Sequence, residues 1–102
     1  MRNRLIKNLC ELVSIDSESG AEEEFLHFLA RKFASELGAT IQFDAYGNLI
    51  AKIPALRCSS CEPLMFAMHG DTVKPGKGIK PVVKGNTVYS SGDTILGADC
   101  KA

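Results

Sequence analysis

Leu64-Met65-Phe66-Ala67-Met68, followed at once by His69-Gly70-Asp71, is the stretch on which the fold turns. Its five consecutive apolar residues leave no polar face. Such a run reads as a strand buried on both sides, in the middle of a sheet covered by helices. An imidazole and a carboxylate, two positions apart, stand where that strand finishes. In an open α/β sheet ligands gather beyond the carboxyl ends of the strands. Period-two geometry turns His69 and Asp71 to one side if the strand persists that far.

Upstream, the pattern is helical. From Met1-Arg2-Asn3-Arg4 onward, Leu5, Ile6, Leu9, Leu12 and Val13 recur at helical spacing, which predicts an amphipathic helix from about Asn3 to Val13. Ile15-Asp16-Ser17-Glu18-Ser19-Gly20 breaks it with turn formers. Ser19 with Glu22 fits a capping box for a second helix. That helix carries Phe25, Leu26, Leu29, Phe33 and Leu37 on one stripe, with Glu22, Glu23 and Glu24 in its first turn, where the helix dipole favours anions. Gly38 is placed to end it in a left-handed cap. Ile41 and Phe43 then alternate, Asp44 to Asn48 supplies a turn, and Leu49, Ala51 and Ile53 alternate again, which predicts two joined strands. Two helices, a strand pair and a buried strand make an α/β layer fold.

Downstream, Lys74 to Lys84 is rich in Pro, Gly and Lys and reads as an ordered surface loop. Thr87-Val88-Tyr89 is expected as a short strand near Gly85-Asn86, and Ser90-Ser91-Gly92-Asp93 turns again. A last helix is expected to begin near Cys100 or Lys101. Asp99 follows the small residues Gly97-Ala98, which let backbone approach closely. It has two readings: a carboxylate bridging two cations, or an N-cap.

Composition narrows the classes. With 102 residues, 12 basic against 12 acidic, there is no electrostatic case for nucleic acid or an anionic membrane as partner. No apolar run is long enough to span a bilayer and no signal arrangement opens the chain, so a cytoplasmic location is expected. Cys10, Cys58, Cys61 and Cys100 include one Cys-x-x-Cys and no second, which does not make a zinc ribbon. Cys58-Ser59-Ser60-Cys61 sits in a polar stretch between Pro54 and Pro63 and is read as a loop with two thiols, reduced as in an intracellular protein.

Three segments in order carry a resemblance: His69-Gly70-Asp71-Thr72-Val73, Pro75-Gly76-Lys77-Gly78-Ile79-Lys80-Pro81, and Gly92-Asp93-Thr94-Ile95-Leu96-Gly97-Ala98-Asp99-Cys100-Lys101-Ala102. Together with Asp44-Ala45-Tyr46-Gly47-Asn48-Leu49 they resemble the N-terminal portion of the M20 family of dizinc metallopeptidases, and within it the peptidase T-like branch. The resemblance implies a three-layer α/β/α catalytic domain, of which residues 1–102 are the N-terminal, metal-binding part, without the lid and dimerisation domain. It implies that His69 binds one zinc, that the catalytic Asp71 holds and polarises it, and that Asp99 bridges two metals. It also implies a cis peptide after Asp99, a bond that costs about 3 kcal/mol outside proline.

The cofactor so implied is a pair of zinc ions, with cobalt or manganese as alternatives. The activity implied is release of the N-terminal residue from short peptides by a metal-activated water, in a full-length protein that is a homodimer. Two positions depart from the pattern. Gly70 stands where Met, Leu or Val is usual, and Cys100 where the branch has a second aspartate. The family's Glu-Glu pair, further acidic ligand and final histidine have no position here. Zinc takes three protein ligands plus water in a catalytic site, so the chain alone is expected to be inactive and to bind zinc weakly. Without the cover that the buried strand needs, it is also expected either to expose apolar edge and surface, inviting association, or to rearrange. Other readings are a dipeptidase or an amidohydrolase of N-acyl amino acids, a non-catalytic relic, and a small Cys-x-x-Cys metal or redox protein.

Overall fold

The computed structural model describes residues 2–58 and 60–102. Met1 and Ser59, both part of the sequence reading, lie outside them. The elements in order are α1 (Arg2–Val13), α2 (Glu23–Leu37), β1 (Thr40–Phe43), β2 (Leu49–Lys52), β3 (Pro81–Lys84), β4 (Thr87–Ser90) and α3 (Ala98–Lys101). The chain divides into two compact units, one from Met1–Phe25 with Met68–Ala102, the other from Leu26–Ala67.

In the first unit, α1 forms over the apolar spacing expected of it, and its last residue, Val13, is fully buried. Among the described residues, Phe25 and Ile79 are the other large apolar side chains buried there. β3 and β4 form an antiparallel hairpin in which Lys84 faces Thr87 across Gly85-Asn86. Gly85 has a φ of 58°, the left-handed geometry that two-residue hairpin turns require. The expected surface loop therefore contains a strand, because Pro81-Val82-Val83-Lys84 finds its partner just across a tight turn. α3 begins at Ala98, earlier than expected, with Gly97 as N-cap at φ 75°. Asp99 is thus inside the first turn and is not the cap. Lys101 is buried, its Nζ donating to the Ile15 carbonyl at 2.8 Å and lying 4.5 Å from the centre of the Phe25 ring. Burial lowers its pKa.

In the second unit, α2 ends where Gly38 takes a φ of 63° and the Ala39 amide returns to the Phe33 carbonyl at 3.2 Å. β1 and β2 pair antiparallel, with Thr40 opposite Lys52 and Phe43 opposite Leu49. Asp44 builds the connecting turn: its Oδ1 accepts from the Tyr46 and Asn48 amides, and its Oδ2 from Asn48 Nδ2, each at 2.9 Å. His27 stacks on Phe43 at 4.9 Å between ring centroids.

Three further expectations need correction. Leu64–Met68 is not a strand: among the described residues the only sheets are β1-β2 and β3-β4. Leu64 and Met65 are each 88% exposed. A central strand exists only through neighbours on each side, and none of the described strands lies beside it. Second, Cys58 and Cys61 are not free thiols but a disulfide, as their Cα separation of 5.6 Å permits. Third, Ser19 does not cap α2. The helix starts at Glu23, too far along for that hydroxyl, while Glu22 still reaches back to the Gly20 amide at 2.8 Å.

Candidate functional site

The site is built where residues 15–20 meet residues 69–79, within the first unit. Glu18 and Thr72 form an isolated parallel bridge. The Thr72 amide donates to the Ser17 carbonyl at 2.8 Å and the Ser19 amide to the Thr72 carbonyl at 3.1 Å. Two carboxylates then fasten the Pro-Gly-Lys-Gly loop: Glu18 Oε2 accepts from the Gly76 amide at 3.0 Å and Asp16 Oδ1 from the Gly78 amide at 2.8 Å. The Ile95 amide donates to the Pro75 carbonyl at 3.0 Å, which brings the segment leading to α3 against the same loop. Gly97 completes the approach, since a Cβ there would lie 3.1 Å from Thr72 Cγ2.

This frame brings His69, Asp71 and Asp99 together. His69 Nδ1 lies 3.0 Å from the Asp71 carbonyl and 3.1 Å from Asp71 Oδ1. The opposite ring nitrogen, Nε2, lies 3.5 Å from Asp99 Oδ2. Ser19 Oγ donates to Asp71 Oδ2 at 2.5 Å. That hydrogen bond, with smaller help from the residue's own backbone amide and then from His69, outweighs desolvation and holds the Asp71 carboxyl below its ordinary pKa, so the group is an ionised acceptor. Both neighbours of Nδ1 are then acceptors, and Nδ1 carries the hydrogen. In the neutral ring Nε2 presents a lone pair to the Asp99 carboxylate. Two acceptors so placed repel each other unless a proton or a cation stands between them.

The pair therefore fits a metal ion as two donors on one side, the imidazole Nε2 and a carboxylate oxygen. It is not a complete site. Among the described residues no group of three or more His, Cys, Asp or Glu side chains is placed to hold a metal ion. Cys100, next to Asp99, turns its thiol toward the Asp71 carbonyl at 3.5 Å. Burial, and then the Asp99 charge, push its pKa up, so it stays a thiol. The peptide after Asp99 is not cis, since Asp99 and Cys100 both lie within the helical turn closed by the Ala102 amide on the Ala98 carbonyl. The cis bond among the described residues is Lys74–Pro75.

Sequence reading singled out the histidine and both aspartates, but it missed Ser19, Asp16 and Glu18 as the residues that hold them in place. All three fall in the stretch that looked like a simple turn. The acidic residues at alternate positions, Asp16 and Glu18, were the signal available, because carboxylates in a turn serve backbone amides.

No family model matches the chain. Over an alignment 107 positions long it is 42% identical to the uncharacterized protein YqjE of Bacillus subtilis, a match covering 97% of this chain and 28% of that protein. It is 39% identical to the aminopeptidase PepT of Bacillus cereus, whose crystal structure it matches with a TM-score of 0.91 over 99% of this chain and 29% of the other. The chain thus spans under a third of the length of either relative. Its mixed helix-and-strand architecture is that of a part of the PepT fold.

Proposed function

We propose that this chain is part of an M20-type zinc aminopeptidase, contributing one side of a dizinc site to a protein that releases the N-terminal residue from short peptides. The carrying observation is His69 Nε2 facing Asp99 Oδ2 at 3.5 Å while Asp71 holds Nδ1, in a chain 39% identical to an aminopeptidase. In this reading His69 and Asp99 are metal ligands. Asp71 fixes the tautomer that aims the Nε2 lone pair and strengthens it as a donor. Ser19 keeps Asp71 charged and in place. Zinc, when bound, polarises a carbonyl and acidifies a water. Two protein donors fall short of the three plus water of a catalytic zinc site. A working site needs further ligands and a general base besides His69, Asp71 and Asp99, so the isolated chain is expected to bind zinc weakly and to be inactive.

The test uses the longest product of the reading frame that carries these residues, loaded with zinc and assayed on a tripeptide with a free amino terminus and on its N-acetylated counterpart. The expected result is cleavage of the free peptide alone. His69→Ala is expected to abolish it, and Asp71→Asn to lower activity or metal affinity about 10- to 100-fold. Undiminished hydrolysis by the His69→Ala protein overturns the proposal. Cleavage of the acetylated substrate alone favours the amidohydrolase of N-acyl amino acids instead.

A further inference from the structure

The disulfide between Cys58 and Cys61 staples nothing. Neither cysteine lies in a helix or strand. They stand three positions apart, between β2 and the Leu64–Met68 run. Stabilisation by a disulfide grows with the length of chain it closes, so a ring this small sits at the low end. The described residues about the bond are also open to solution. Arg57, Ser60, Cys61 and Glu62 are exposed and Cys58 is half-buried, whereas the free thiols Cys10 and Cys100 are both half-buried. Exposed disulfides are the labile ones, since a thiolate must reach a sulfur in line with the bond it breaks. The two sulfurs are not equivalent. Ser60 Oγ lies 3.9 Å from Cys58 Sγ and donates toward it, so Cys58 is the better supported leaving thiolate and Cys61 the better exposed target.

We propose that Cys58–Cys61 is a thiol–disulfide exchange site, opened and closed by low-molecular-weight thiols and their disulfides. In opening, a small thiolate attacks Cys61 Sγ. The Cys58–Cys61 bond breaks, Cys58 leaves as a thiolate, and Cys61 is held in a mixed disulfide. A second small thiolate attacks the outer sulfur of that mixed disulfide and frees Cys61. The balance is one protein disulfide and two small thiols giving one protein dithiol and one small disulfide, with two electrons passing to the protein. Closing is the reverse, with Cys58 as the resolving thiolate. The proposal is independent of the peptidase reading.

The experiment equilibrates the chain in buffers of graded reduced to oxidised glutathione, quenches with acid, alkylates under denaturing conditions with N-ethylmaleimide, and weighs the peptide that holds both cysteines. The expected result is one reversible transition from no adduct to two, with Cys10 and Cys100 alkylated throughout. In Cys58→Ser, Cys61 is expected to accumulate as a glutathione mixed disulfide, more than Cys58 does in Cys61→Ser. Three results overturn the proposal: a ring that stays closed in excess reduced glutathione, two free thiols in excess oxidised glutathione, or a glutathione adduct on the parent chain in place of the ring.

Discussion

Ser19 shows how much of the candidate site depends on single atoms. Its hydroxyl donates to Asp71 Oδ2 across 52 positions of sequence, and its amide donates to the Thr72 carbonyl. Ser19→Ala removes the first bond and keeps the second. It is expected to destabilise the fold modestly, since the bond it removes is open to solvent, read as a lower urea midpoint. Ser19→Thr, which retains a hydroxyl, should restore most of it; equal midpoints for parent and alanine variants would remove Ser19 from this account. Gly76 is constrained differently. A Cβ there would lie 2.6 Å from Thr72 Oγ1 and 2.9 Å from the Val73 carbonyl oxygen, and a backbone oxygen cannot turn aside. Gly76→Ala is therefore expected to lose about 1–3 kcal/mol, the range for forcing atoms into a packed region. Thermal unfolding checks it, and an unchanged midpoint contradicts it.

At the scale of elements, what sequence made legible was local. The β1-β2 hairpin was read from alternating residues and from Asp44 to Asn48, and the structure shows why: one carboxylate satisfies the turn by itself. Those bonds, to Asn48 first, hold the Asp44 pKa below its ordinary 3.8. A carboxyl depressed on folding stabilises the fold above its unfolded pKa, and that contribution is lost as pH falls through the folded value. Asp44→Ala should therefore be less stable near neutrality and show a flatter fall in stability below about pH 4. Parallel acid limbs for the two proteins would refute this. β3 was missed because Pro and Lys masked a strand whose signal was the Gly85-Asn86 turn, a dipeptide that joins hairpins. The anchoring of α3 was illegible for another reason. Nothing in its local sequence marks Lys101 as buried, yet it donates to the Ile15 carbonyl, 86 positions away, beside the Phe25 ring. Lys101→Met keeps bulk but strands that carbonyl, and is expected to cost about 1–3 kcal/mol by denaturant titration.

For the whole molecule, apolar surface is the governing quantity. Among the described residues the buried apolar side chains are Val13, Phe25, Ala30 and Ile79, while Leu64, Met65, Phe66 and Met68 are each at least 75% exposed. The sequence marked that run as the middle of a sheet, and its chemistry has not changed; it lacks the strands that would flank it. Consecutive exposed apolar side chains, on backbone that no strand pairs, attract each other in water at roughly 25 cal/mol per Å² of apolar surface removed. The isolated chain should accordingly self-associate. Sedimentation velocity over a range of concentrations is expected to show a rising weighted-average coefficient, and an apolar dye should brighten on binding. Phe66→Lys with Met65→Ser should suppress both, because it breaks the run without touching the buried side chains. A single concentration-independent species for the parent chain, with a sharp thermal transition and no dye binding, would mean that the run is covered in solution and that its exposure is not what limits this chain.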